Sequence, residues 1–166
     1  ALAWAAKKWN LPNITTQLST WLLREDEPPL FINTIGGLGS PWWQSGPSPT
    51  LQGDGEPWQR AVAVAESIVF MLQANLETMG EAGLAVSRLQ VSGGLARFDG
   101  LCQRLASLTQ LPVYRPAETE ATCRGIAWLA AGSPPRWPKP GRGRVFKPQA
   151  NQALDKRYRR FRQILG

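Results

Sequence analysis

Residues 86–132 read VSRLQVSGGLARFDGLCQRLASLTQLPVYRPAETEATCRGIAWLAAG, and the changes of hydrophobic period inside this stretch decide the fold. Residues 86–92 alternate apolar and polar side chains, the period of a strand, and Gly93-Gly94 ends them. A helix is predicted from Phe98 or Asp99 to Thr109, with Leu101, Leu105 and Leu108 inward. LPVYR (111–115) reads as a second short strand. A further helix starts at Thr119 or Glu120 and runs to Gly132, carrying Ile126 and Leu129. Its small residues Ala121, Gly125, Ala127, Ala130 and Ala131 predict close packing on a neighbour. Strand and helix alternating through short connections argue for parallel strands in an α/β sheet.

Working outward, residues 58–79 form the clearest helix, with apolar residues at Trp58, Val62, Ala65, Val69, Leu72, Leu76 and Met79. Pro57 suits its first turn, with Gly55 or Glu56 as the boundary, and Gly80 is the expected C-terminal cap. Upstream, Trp4, Trp9, Trp21, Leu22 and Leu23 lie on two short helices broken near Asn10–Asn13, followed by an acidic loop at 24–29. Leu30–Ile32 reads as a short strand leading into the glycine-rich INTIGGLGSPWW, and 44–57 as loop. Downstream, 133–149 is Pro/Gly/Arg-rich and reads as an extended linker. Residues 151–165 return to a helix with Leu154, Tyr158, Phe161 and Leu165 inward and Lys156, Arg157, Arg159, Arg160 and Arg162 around them.

The 166 residues suffice for one domain or a large part of one, and 43% hydrophobic content excludes a disordered chain. No run of 18 apolar residues occurs, so no helix is expected to span a membrane. The chain opens inside an amphipathic pattern, ALAWAAKKW, and is read as a piece of a longer protein. It contains no His, which excludes histidine bases, Ser-His-Asp and Cys-His nucleophiles and His-ligated zinc. Cys102 and Cys123 each sit in an apolar helical pattern and read as small buried hydrophobes in a reducing, cytoplasmic compartment. No GxxxxGK[ST] loop occurs. The net charge of +7 belongs to the tail: residues 1–120 hold 8 basic and 11 acidic side chains, residues 121–166 hold 11 and 1. Such asymmetry suits a polyanion partner.

In α/β sheets ligands bind off the C-terminal ends of parallel strands, where the Ser92-Gly93-Gly94 turn falls. Glycines let backbone approach a ligand, and a following helix start offers free N–H groups and a positive dipole to a phosphate. A tight turn without a ligand is the plainer alternative.

The run VSGGLARFDGLCQRLASLTQLPVYRPAETEATCRGIAWLAAG resembles the C-terminal domain of the FGGY carbohydrate kinases, the group containing glycerol kinase and xylulokinase. INTIGGLGSPWW resembles that family's Gly-Leu-Gly-Ala-Pro-Tyr-Trp loop. AVAVAESIVFMLQANLETM resembles its long helix with a Glu-Ser pair, here Glu66 and Ser67. GRVFKPQANQALDKRYRRFRQIL resembles its closing segment. Four colinear motifs over residues 30–165 carry the resemblance.

The resemblance implies a ribonuclease-H-like, actin-type ATPase fold, present in part, in which two domains clamp MgATP and a sugar and pass the γ-phosphate to a sugar hydroxyl. Residues 1–132 would be a partial nucleotide-binding lobe, made of a helical lead-in (1–29), a Gly/Pro/Trp loop region (30–57) and a helix followed by β-α-β-α (58–132). Residues 133–166 would be a linker and docking helix. Gly93 and Gly94 would lie along the phosphates and ribose, with Leu95 and Ala96 beginning the adenosine pocket. Gly37, Leu38 and Gly39 would face the cleft between the domains. Phe98 stands where glycerol kinases place an adenine-contacting Asn; an aromatic would stack on or wall the base but cannot copy the amide hydrogen bonds. Ser92 replaces the usual Asp before the glycines, and the early adenosine contact, GxxxQ, is not matched near Trp4 and Lys8.

The catalytic Asp and the sugar site belong to the family's N-terminal domain, so this chain alone is expected to bind ATP weakly and catalyse nothing. The expected partners are a nucleotide and, through that domain, a sugar, with a second copy of the chain as a further partner and no membrane. Glu118 and Glu120 read as a helix-start pair rather than metal ligands. Trp42-Trp43 suit sugar stacking or loop packing equally. Two other readings stand beside the kinase: a nucleic-acid or polyanion module using the tail from Arg136 to Arg162, and a non-catalytic actin-like structural domain. Against the first, the Tyr158/Phe161/Leu165 stripe suits docking and leaves the basic side chains as a solvated face.

Overall fold

The computed structural model describes residues 1–24, 27–46, 48–139 and 141–166. Glu25 and Asp26 of the expected acidic loop, Pro47 and Pro140 lie outside the described residues.

The chain folds around one long helix. Two short helices, α1 (Leu2–Lys8) and α2 (Ile14–Trp21), precede β1 (Leu30–Ile32). β1 pairs antiparallel with β2 (Thr50–Gln52), Phe31 opposite Leu51. Then comes α3 (Pro57–Glu81). Its start is fixed locally: Pro57 needs no hydrogen-bond acceptor at the first position, and Glu56 and Gln59 cap each other reciprocally. Gly80 does not end it. The helix runs on to Glu81, and Gly83 takes the left-handed conformation (φ +79°). The N–H of Gly83 donates to Gly80 and that of Leu84 to Met79, the paired bonds of a glycine-terminated helix.

β3 (Leu89–Gln90), α4 (Asp99–Thr109), β4 (Val113–Arg115) and α5 (Ala121–Ala130) follow in the expected alternation, and β3 and β4 are parallel, Leu89 opposite Val113. The strand read over 86–92 is paired only at its centre, although the N–H of Val91 still donates to Tyr114. The segment read as linker supplies a third strand, β5 (Arg144–Phe146), antiparallel to β4. Edge strands tolerate the charge and proline that hid it, and Phe146 points into the core. α6 (Gln152–Leu165) closes the chain, with Asn151 accepting the N–H of Leu154 at its start.

The N-terminal half of α3 is buried on nearly every side, from Ala61 to Phe70, because it lies between two apolar layers. On one side it meets Leu18, Leu22, Leu101, Leu105, Leu154 and Phe161; on the other, Ala5, Ile14 and Phe31. The predicted inward stripe continues too far: Leu72 and Met79 are exposed. α5 departs furthest. None of its residues is buried, and Ile126, Leu129 and Cys123, all expected inward, face outward. Its side chains are tied instead to the segment that follows it, Trp128 Nε1 donating to Pro134 and Arg124 to Pro138. Among the described residues no helix is long and apolar enough to cross a membrane.

A buried ion cluster joins the layers. Glu66 of α3, only 1% exposed, accepts Nε and Nη2 of Arg157 at 2.7 and 2.8 Å and Nε of Arg104 at 3.3 Å. Arg157 was expected on the solvated face of α6; it is instead turned inward to this carboxylate. Burial lowers the pKa of the Arg104 guanidinium, an effect Glu66 opposes. Ser67 closes onto its own helix, its hydroxyl donating to the Val64 carbonyl.

Candidate functional site

The diglycine turn lies where β3 leaves the sheet. Gly93 has φ +85° and ψ 179°, a backbone conformation that side-chain-bearing residues avoid, so the turn requires glycine there. A Cβ at Gly93 or Gly94 would meet no atom within 4 Å, so the outer face of the turn is open. The Gly93 N–H is already spent on the Thr119 carbonyl at 2.7 Å. The N–H groups of Gly94 and Leu95 open a 3₁₀ turn, Gly94–Arg97, and have no acceptor within it.

That turn separates the glycines from the helix whose start was read at Phe98 or Asp99. α4 begins at Asp99 as read, and the chain's own Asp99 side chain stands at its positive end. Asp99 accepts Arg115 Nη1 at 2.8 Å and also pairs with Arg144. Any anion at the diglycine turn therefore meets bare backbone N–H groups and very little helix dipole.

Beside the turn is a cavity of about 580 Å³. Gly94, Leu95, Arg97 and Phe98 form one wall, Leu2 of α1 the edge, and Thr15, Thr16 and Ser19 of α2 the opposite wall. Three residues expected at a nucleotide thus line one space. Phe98 contributes only an edge: it is 7% exposed and packed into the core. Ala96 turns away; it is buried, and its carbonyl accepts Arg115 and the Cys102 thiol. Arg97 pairs with Glu120 at 2.9 Å, while Glu118 accepts the Glu120 N–H ahead of α5. Among the described residues no three His, Cys, Asp or Glu side chains converge as a metal site would require.

The second glycine loop stands apart from the first. Gly37 has φ +96° and packs against the Gln44 carbonyl, Leu38 is buried and bridged to Gln44, and Gly39 has open space around it. Ser40 and Asn75 of α3 hold this loop on the long helix, and none of its residues lines the cavity beside Gly94. Trp42 is spent on packing, edge-on to Phe161 at 6.0 Å with Arg162 over its ring, whereas Trp43 is exposed.

The hydroxyl wall went unread in the sequence. Its one signal is position: Ile14 and Leu18 face inward on α2, so Thr15, Thr16 and Ser19 fall outside. Trp4, near which the family's adenosine motif is not matched, packs on Trp9 and Phe31 instead.

Residues 3–133 match the C-terminal domain of the FGGY family of carbohydrate kinases, and the chain belongs to that family. Among relatives, the glycerol kinase of Allorhizobium ampelinum is 34% identical over 121 residues, covering 68% of this chain and 24% of that protein. The glycerol kinase of Sinorhizobium fredii is 30% identical over 151 residues, or 83% of this chain and 30% of its own length. The chain thus spans less than a third of these relatives. Among solved structures, xylulose kinase from Rhodospirillum rubrum superposes with a TM-score of 0.75 at 20% identity, covering 98% of this chain and 36% of the other. Plasmodium falciparum glycerol kinase with ADP gives 0.73 at 17% identity, covering 98% and 35%. The fold is that of the ribonuclease-H-like, actin-type ATPase domains, present in part.

Proposed function

We infer that this chain is the ATP-binding half of a carbohydrate kinase that transfers the γ-phosphate of MgATP to a sugar hydroxyl, and that it is inactive alone. The observation that carries the reading is the open diglycine turn at the end of a parallel strand, with Gly94 lining a cavity large enough for a nucleoside. Similarity to a glycerol kinase solved with ADP supports it.

The residues suit such a ligand. The N–H groups of Gly94 and Leu95 would donate to phosphate oxygens, with Gly93 setting the bend that exposes them. Leu95, Leu2 and the edge of Phe98 would hold the base between apolar surfaces. A bound nucleotide would supply the phosphoryl group, and its Mg²⁺ would neutralise charge on the phosphates. Gly37 and Gly39 would belong to the loop facing the sugar-binding domain. Phosphoryl transfer depends on positioning and charge stabilisation from both sides of the transferred group, and the sugar and the catalytic base belong to that other domain. The setting is cytoplasmic, with a second copy of the chain as a further partner.

Two assays test this. Calorimetric titration should show saturable MgADP binding, and a coupled assay should find no sugar-dependent ATP turnover by residues 1–166. A flat MgADP titration contradicts nucleotide binding; sugar-dependent turnover contradicts inactivity.

A further inference from the structure

We propose that the cavity beside Gly94 accepts adenine and guanine nucleotides with little preference between them. The proposal rests on the reading of this cavity as a nucleotide seat and adds which bases it admits. Strong discrimination arises where a site buries polar groups that only the right ligand can satisfy; the wrong one leaves them unpaired, and rejection reaches about 10⁴-fold or more. Polar groups that keep contact with water lose little when a ligand fails to pair with them.

Every polar side chain on this cavity is of the second kind. Thr15, Thr16, Ser19 and Arg97 are all exposed. No Asn, Gln, Asp or Glu lines it among the described residues. A hydroxyl donates or accepts as its rotor turns, so the α2 wall can meet the 6-amino group of adenine or the 6-oxo group of guanine. Arg97, a pure donor held by Glu120 at 2.9 Å, adds a partner suited to an oxygen. The apolar contacts from Leu2, Leu95 and the Phe98 edge grip a ring without reading its edge. A cavity of about 580 Å³ does not exclude guanine by its one additional amino group.

The test is calorimetric titration of the whole 166-residue chain with MgADP and with MgGDP at equal ionic strength. Dissociation constants within about tenfold of each other are expected, since none of the polar side chains lining the cavity is buried. ADP binding with GDP weaker by more than that overturns this proposal and leaves the nucleotide seat standing. Failure of both to bind overturns the seat and the proposal together. Ser19→Trp locates the binding: Ser19 is exposed, so the fold, checked by circular dichroism, should persist while the indole fills the cavity and both nucleotides are lost in parallel. Retention of either would put its site elsewhere and overturn the proposal.

Discussion

Replacing Glu66 with glutamine probes the charge on which three helices converge. The substitution keeps the side-chain volume but removes the carboxylate, and it turns one acceptor into an NH₂ group that must face a guanidinium. Arg104 and Arg157, 12% and 13% exposed, would then be two cations without a counter-charge. Removing one partner of a buried ion pair costs about 3–5 kcal/mol. Against a total stability of about 5–15 kcal/mol for a domain, that is a large fraction. Replacing all three charges together, as E66L/R104M/R157M, removes the need for compensation, and buried ion clusters exchanged for apolar side chains of similar size are often neutral. Arg104 also donates to the Leu22 carbonyl, so the triple variant should lose about 1–3 kcal/mol for that orphaned group. The assay is urea unfolding followed by tryptophan emission, in which a slope of about 1–3 kcal/mol per molar turns the E66Q loss into a midpoint lower by about 1 M or more. The reasoning is refuted if E66Q costs under about 1 kcal/mol, or if the triple variant is less stable than E66Q.

Four further outcomes follow from burial. Cys123 is exposed and Cys102 buried, its thiol pKa pushed up by desolvation, so Ellman's reagent should label one thiol at once and the second only on unfolding. Burial and the hydrogen bond to Glu77 push the Tyr158 phenol well above its ordinary value. The unfolded chain therefore releases that proton first, and stability should fall as pH rises above about 10, read by thermal melts against pH. Phe161→Ala should cost about 3–5 kcal/mol, because the ring is fully buried against Phe70, Tyr158 and Trp42. Ile126→Ser on unpacked α5 should change stability by under about 0.5 kcal/mol in the same denaturation assay.

The parts of this fold legible in sequence are those that local physics enforces. Leu30–Ile32, the break between the first two helices, Pro57 at the start of α3 and the parallel β3–β4 pair all stand as read, because capping, proline geometry and period act over a few residues. What escaped depends on distant neighbours. β5 is a strand only because β4 lies beside it, and Arg-Val-Phe among prolines carries too few residues to show a period. α3 is buried on nearly all sides at 61–70, which an amphipathic stripe does not anticipate. Arg157 reads as one more basic residue of the tail until Glu66, 91 positions earlier, is brought to it. At the candidate site the glycines were visible, since positive φ leaves a mark in composition. The hydroxyls of α2 were not, because nothing in Thr15, Thr16 or Ser19 distinguishes a cavity wall from an ordinary exposed helix face.

The claim that the diglycine turn seats a nucleotide is tested most directly by amide chemical-shift mapping of the chain with MgADP. The account predicts saturable shifts concentrated at Gly93–Arg97 and, across the cavity, at Thr15–Ser19. Shifts centred elsewhere, or none at saturating nucleotide, would contradict it.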